Sequence, residues 1–163
     1  MINCIREYIS TSDEEDLLIC VKELREYLAS YNPNRKKDIS DEFYKDWIKK
    51  RVQEITLGKG AIFVAEEDGK ITGYVYGLIK EQSEEDKSEF VLKRAGEVVD
   101  LFVSSKNRSK GIGKRLINEI KQFFVNNQCE DISLTVLFTN KLGISFYENQ
   151  GFVVQVFEMS HGL

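Results

Sequence analysis

The strongest constraint on the fold is the run Val98-Val99-Asp100-Leu101-Phe102-Val103, followed at once by Ser104-Ser105-Lys106-Asn107-Arg108-Ser109-Lys110-Gly111-Ile112-Gly113-Lys114-Arg115-Leu116. β-Branched and aromatic residues crowd its first part, as suits a buried strand. From Gly111 onward Ile112, Leu116, Ile117, Ile120, Phe123 and Phe124 recur at the spacing of a helix. The order is therefore strand, polar loop, helix. The loop carries Arg-x-x-Gly-x-Gly, whose two glycines remove side chains that would hold a ligand away from the backbone. The helix start adds unpaired N–H groups and the positive end of a dipole. Arg108, Lys110 and Lys114 bring further positive charge to the same mouth, so the loop suits the pyrophosphate of an anionic, nucleotide-like guest.

A chain of 163 residues is expected to form one domain, 1–163, with a core that needs neither metal nor disulfide. Residues 3–9 read as a first strand. Ser12-Asp13-Glu14-Glu15 then predicts a capping box that opens a helix striped by Leu17, Val21, Leu24 and Leu28 and ended before Pro33. The polar, basic loop 32–37 leads to a second helix over Asp41–Thr56, which buries Tyr44, Ile48, Val52 and Ile55, with Phe43 and Trp47 beside that face. Two β-rich runs, 61–66 and 71–79, flank Asp68-Gly69 and predict an antiparallel hairpin. Gly73 and Gly77 inside the second run mark close approach of a backbone or side chain, or twist alone. The charged segment 81–89 reads as an exposed connection.

Beyond the central helix, Ile132, Leu134, Val136 and Phe138 alternate as in a strand. A strand-helix-strand unit of this length implies a parallel pair with a right-handed crossover. Asn140 can cap a short helix that Gly151 ends, and 153–159 supplies a last strand. The expected class is α/β, with a mixed central sheet, antiparallel in its first half and parallel at its middle, flanked by helices.

Composition removes several functions. Cys4, Cys20 and Cys129 are odd in number and lack a Cys-x-x-Cys, and His161 is the only histidine, so no metal site is expected and the thiols should be reduced. The start has no apolar signal core and no later run approaches a membrane span, which gives a cytoplasmic expectation with no membrane partner. A net charge of −4 disfavours nucleic acid, since the basic residues cluster at one loop. Leu116 stands where a dinucleotide-binding fingerprint has its third glycine, and no Walker loop occurs.

The glycine loop at its strand-to-helix junction resembles the acetyl-CoA loop of the GCN5-related N-acetyltransferase (GNAT) superfamily, Gln/Arg-x-x-Gly-x-Gly/Ala. The stretch Asn140-Lys141-Leu142-Gly143-Ile144-Ser145-Phe146-Tyr147-Glu148-Asn149-Gln150-Gly151-Phe152 resembles the superfamily's Asn-x-x-Ala-x-x-Phe-Tyr-x-x-x-Gly-Phe helix, with Gly143 where alanine is usual. Together they cover roughly the last 70 residues in the right order and spacing, which is more specific than either motif alone.

The resemblance implies a GNAT-like fold with a splayed parallel strand pair that admits the pantetheine arm of acetyl-CoA as a co-substrate. Backbone groups of Leu101, Phe102 and Val103 would bond that arm, and a strand N–H would polarise the thioester carbonyl. Arg108, Ser109, Lys110, Gly111, Ile112, Gly113 and Lys114 would hold the pyrophosphate, and Asn140 the arm. Tyr147 matches the usual general acid. The base is open: related amine acetyltransferases often carry a glutamate where this chain has Val99, leaving Glu97, on the same expected strand face as Val99, or Asp100, on the opposite face. The implied reaction is direct acetyl transfer to a primary amine of a small-molecule or peptide acceptor, with no cysteine intermediate. The superfamily's acceptor site is usually lined between the first two helices, which points to Tyr31, Arg35 and Tyr44. Homodimers are common in such relatives. The alternative is a domain that binds acetyl-CoA as a sensor or regulatory module without transfer.

Overall fold

A computed structural model describes residues 2–31, 40–80, 94–159 and 161. The basic loop around Pro33, the acceptor candidate Arg35 and the charged stretch 81–89 lie outside the described residues. The elements run β1 (Ile2–Glu7), α1 (Ser10–Tyr31), α2 (Asp41–Thr56), β2 (Gly60–Glu67), β3 (Lys70–Lys80), β4 (Ala95–Val103), a 3₁₀ turn (Ser105–Asn107), α3 (Ile112–Asn126), β5 (Asp131–Leu134) and α4 (Lys141–Glu148). One five-stranded sheet in the order β1-β2-β3-β4-β5 joins them; the first three pairings are antiparallel and β4-β5 is parallel. The fold is thus α/β with a mixed sheet flanked by helices, as the sequence pattern predicts.

Helices α1 and α2 cover one face, where Leu17, Val21, Leu24, Tyr44 and Ile48 pack on Ile62, Val64, Tyr74, Tyr76 and Phe102. The start of α1 corrects the capping-box expectation. The helix begins at Ser10, and the buried Asp13 reaches back to accept the Ile9 N–H at 2.8 Å while Arg6 clamps its carboxylate at 2.6 and 3.0 Å. Helix α2 has the expected bounds, with the Ser40 hydroxyl accepting from the Phe43 N–H at 3.3 Å. The β2-β3 hairpin turns at Asp68 and Gly69, both at positive φ, 51° and 75°, the geometry that an Asp-Gly pair favours.

Helix α3 covers the other face. Its Ile112, Leu116, Ile117, Ile120 and Phe124 are all at most 1% exposed. Burial of five such side chains contributes roughly 10 kcal/mol before chain entropy is subtracted, an upper figure. Glycines in the sheet let the helix approach closely. A Cβ on Gly77 would lie 2.6 Å from Ile120, and one on Gly96 2.5 Å from Phe124. Gly77 therefore marks a packed side chain, and Gly73 a packed backbone, since its Cβ would meet the Phe102 carbonyl oxygen at 2.7 Å.

Two features differ from the sequence expectation. Tyr76 pairs with Asp100 and Gly77 with Val98, so Val99 is an extra, bulged residue in β4. The bulge inverts the inward and outward order of the strand: Val98 packs with α3, whereas Asp100 and Phe102 face α1. Glu97 and Asp100 consequently share a face instead of opposing each other. The expected last strand, 153–159, is not a strand. Among the described residues Val153, Val154, Val156, Phe157 and Met159 pair with no strand and are 57–92% exposed. An apolar, β-branched pattern makes a strand only where a neighbouring backbone completes its hydrogen bonds.

Candidate active site

The parallel pairing of β4 with β5 stops at Val98↔Leu134. Beyond it β4 stays paired with β3 as far as Gly73↔Val103, so its other edge opens. Val99 to Val103 on one side and Thr135, Val136 and Leu137 on the other wall a cleft of about 900 Å³. Residues from the end of α1, from α4 and from the glycine loop complete its lining.

In the glycine loop, Gly111 is the N-cap of α3 with φ 79° and no side-chain cap. Helix geometry leaves the amides of Ile112, Gly113 and Lys114 without intrahelical acceptors, and the first such bond runs from Arg115 N–H to Gly111 O. Nothing lies within 4 Å of where a Gly111 Cβ would be. Glycine is needed there for its left-handed backbone, and the open space around it is what an anion would enter. Gly113 is tighter, for its Cβ would sit 3.2 Å from the Phe146 ring. Ser109 adds a second left-handed residue, φ 63°.

The three basic side chains expected here take different directions. Lys114 and Arg108 line the cleft. Arg108 donates its Nε–H to the Val103 carbonyl at 3.0 Å and lays its guanidinium over the Tyr27 ring at 4.4 Å. Lys110 turns away to Asn107 Oδ1 at 2.6 Å and to Glu67 at 4.0 Å, outside the cleft lining.

Ser109, Gly111, Ile112 and Gly113, with Leu101, Phe102, Val103 and Asn140, are all in the lining. Asn140, 8% exposed, caps α4 by accepting the Gly143 N–H at 2.9 Å, which leaves its amide NH₂ to offer to a ligand. In this arrangement a Cβ at Gly143 would fall 2.6 Å from Asn140 Nδ2, so alanine there would require the Asn140 amide to shift.

Tyr147 projects from α4 into the cleft lining, its ring held edge-on by Phe146 at 5.2 Å and Phe152 at 5.9 Å. Burial, with the charge of Asp100 adding, pushes its phenol up to about 12, so it carries its proton at neutral pH. Asp100 lines the same cleft. Its Oδ2 accepts from Arg25 at 2.9 Å and from the Tyr74 hydroxyl at 3.2 Å. Burial leaves the Asp100 carboxyl above its ordinary value, and the Arg25 charge first, then the Tyr74 hydrogen bond, hold that rise back. Glu97 pairs instead with Lys80 at 3.5 Å and does not line the cleft.

Of the acceptor candidates, Tyr44 lines the cleft. Tyr31 reaches it indirectly, hydrogen-bonded to the lining residue Tyr27 at 2.8 Å. The α1 wall of Leu24, Arg25, Tyr27 and Leu28 is absent from the sequence reading. Its signal was an arginine at the border of the Leu24-Leu28 stripe, one turn from Leu28, where a polar head can reach the sheet.

Burial drives the Cys20 thiol up to about 12, and its Sγ–H points to the Ile71 carbonyl. Among the described residues no cluster of His, Cys, Asp and Glu is arranged to hold a metal, and no helix is long and apolar enough to cross a membrane.

Comparison with known proteins agrees with this geometry. Residues 21–152 match the model of the Acetyltransferase (GNAT) family. The chain is 40% identical over 60 residues to N-alpha-acetyltransferase 30 of Xenopus laevis, a match covering 37% of this chain and 22% of that protein. It is 30% identical over 102 residues to an N-alpha-acetyltransferase of Sulfurisphaera tokodaii, covering 62% and 61%. The matches thus span about a fifth of the first relative and three fifths of the second. Among solved structures, AAC(6')-Iy in complex with the bisubstrate analog CoA-S-monomethyl-acetylneamine superposes with a TM-score of 0.76 at 17% identity, covering 98% of this chain and 97% of that one, which is a likeness of fold. With its family pattern matched over most of its length and laid out on this sheet, the chain belongs to the Acetyltransferase (GNAT) family.

Proposed function

We propose that the protein moves an acetyl group from acetyl-CoA to a primary amine by direct attack of the amine on the thioester. The observation that carries this reading is the parting of β4 from β5 after Val98, which opens a cleft running to the uncapped start of α3 with Tyr147 on its wall. The residues present fit the co-substrate. Amides at the start of α3, with Arg108, Ser109 and Lys114, would hold the pyrophosphate, and the open edge at residues 101–103 with the Asn140 amide would hold the arm. Lys110 would contribute by fixing the loop through Asn107.

Acetyl-CoA supplies the activated acyl carbon. A backbone N–H in the open stretch of β4 is placed to polarise the acyl oxygen without needing any particular side chain. Tyr147, protonated at neutral pH, gives its proton to the departing thiolate. The amine reacts as the free base, its nitrogen bonding the acyl carbon as the carbon–sulfur bond breaks, and the proton that nitrogen then sheds returns through water to the Tyr147 phenolate. Of the two carboxylates read from the sequence only Asp100 lines the cleft.

Peptide N-terminal amines are the first acceptors to test, because two matched relatives are named N-alpha-acetyltransferases; small amines complete the panel. The same proposal sets the reaction in a reducing, cytoplasmic compartment, supported by the free thiols Cys4, Cys20 and Cys129. The test is release of free thiol from acetyl-CoA across a mixed library of peptides and small amines, with the acetylated product identified by mass. Amine-dependent release supports transfer. Tight acetyl-CoA binding without release by any amine would favour a sensor module instead.

A further inference from the structure

We propose that Arg25 is a positioning residue for the transfer, holding the buried Asp100 carboxylate ionised on the cleft wall and so setting the field in which the amine and Tyr147 react. The geometry is a three-element junction. Asp100 from β4 is 4% exposed in its side chain, and one oxygen, Oδ2, receives both Arg25 Nη2 from α1 at 2.9 Å and the Tyr74 hydroxyl from β3 at 3.2 Å. Arg25 is itself steered by the indole of Trp47, 5.6 Å below its guanidinium.

A carboxylate this deep takes up a proton unless a cation or several donors hold it charged. The groups around Asp100 leave that task to Arg25. Tyr74 gives a hydrogen bond but no charge, its phenol held far above neutrality by burial first and by Asp100 second. Cys20 of α1, close to Tyr74, is a neutral thiol. Arg51 of α2 also attracts Asp100, but its guanidinium is bonded to Glu54 at 2.7 and 2.9 Å and lies over Trp47 and Tyr76. Tyr76 is spent on Glu54, Glu97 on Lys80, and Tyr147 is a neutral phenol. Among the described residues Arg25 is the one cation at hydrogen-bond distance from Asp100.

Arg25, Asp100 and Tyr147 all line the cleft. A negative Asp100 there favours the positive nitrogen that forms as an amine attacks. The kinetic half of this proposal rests on the acetyl-transfer reading; the charge state of Asp100 does not.

The experiment is ¹³C-carboxyl NMR of Asp100 in the wild type, Arg25→Gln and Arg25→Lys between about pH 5 and 8, with folding checked by circular dichroism and turnover measured on the same samples. Asp100 should be a carboxylate at neutral pH in the wild type and in Arg25→Lys, and protonated in Arg25→Gln. Turnover of Arg25→Gln should fall roughly 10-fold at pH 7 and recover as pH rises, with KM for acetyl-CoA unchanged, and Arg25→Lys should restore it. Asp100→Asn, which deletes the charge and spares Arg25, should match Arg25→Gln at neutral pH, and the double variant should lose no more than either single one.

A folded Arg25→Gln protein whose Asp100 stays ionised at neutral pH would overturn the proposal. So would a turnover loss equal at every pH, which is the mark of a purely structural tether. If Arg25→Gln does not fold, an Asp100→Asn protein with wild-type turnover and pH profile overturns it equally. Absence of turnover in every protein, wild type included, would refute the transfer reading while the NMR result still decides the charge of Asp100.

Discussion

Replacing Gly77 with alanine tests whether α3, and with it the anion-binding helix start, is seated by bare backbone in β3. The new Cβ would lie 2.6 and 2.7 Å from Ile120 Cγ1 and Cδ1 and 2.7 Å from Phe124 Cζ. Both neighbours are fully buried, so neither can swing into solvent. Alanine gains about 0.5–1 kcal/mol over glycine in a strand, whereas overpacking a tight core costs about 1–3 kcal/mol. The difference runs from about 0 to 2.5 kcal/mol, and three contacts at 2.6–2.7 Å against buried atoms put it in the upper part, roughly 1–2 kcal/mol. For a chain of this size each kcal/mol moves Tm by about 2–4 °C, so calorimetry should show a drop of roughly 2–8 °C.

Gly96→Ala meets the Phe124 ring at 2.5–2.7 Å and should behave alike. Phe124→Leu removes the ring that both substitutions strike. The double variants should therefore be less destabilised than the sum of the singles by about 0.5 kcal/mol or more. A Gly77→Ala protein as stable as wild type, or strict additivity with Phe124→Leu, would refute this account of how α3 is seated.

Acetyl-CoA at about 100 times its dissociation constant should stabilise the wild type by roughly 2.7 kcal/mol, and Gly111→Asp should abolish the shift by placing a carboxylate in the anion cradle with a strained left-handed backbone; calorimetry with and without ligand checks it. A second prediction concerns acid stability. Burial alone would raise the Asp13 carboxyl, but hydrogen bonds from Arg6, the Ile9 N–H and Ser12 outweigh it and leave the group below its ordinary value. A depressed acid stabilises the fold at pH values above its unfolded value of about 3.9, and that contribution fades as pH falls through the folded value. Chemical denaturation from about pH 6 down to 2 should show Asp13→Asn less stable than wild type at the upper end and converging with it at the lower.

How much of this was legible in the sequence depends on whether the signal was local. Helix α2, the Asp68-Gly69 turn, the β4-loop-α3 unit and the Asn140 cap all follow from residues close in the chain, and the structure has them. At the start of α1, Ser12-x-x-Glu15 imitates a capping box, while the side chain that caps is Asp13, locked by Arg6 from the neighbouring strand. The Val99 bulge could not be read, since it exists only in the register between β3 and β4. It decides which wall Asp100 faces, and so makes Asp100 and Arg25 partners although 75 residues separate them. For the same reason the α1 wall is not visible in the sequence, nor is the bond that Lys110 makes to Asn107.

The central claim is tested most directly by turnover of Tyr147→Phe, measured as thiol release with an amine that the wild type acetylates. The substitution keeps the ring against Phe146 and Phe152 and deletes only the proton. Because a thiolate is already a fair leaving group at neutral pH, the loss should be moderate, roughly 10- to 100-fold, with every acceptor. Tm and acetyl-CoA affinity should stay near wild type. A well-folded Tyr147→Phe protein that binds acetyl-CoA and turns over at the wild-type rate would contradict the account and remove this phenol from the chemistry of the cleft.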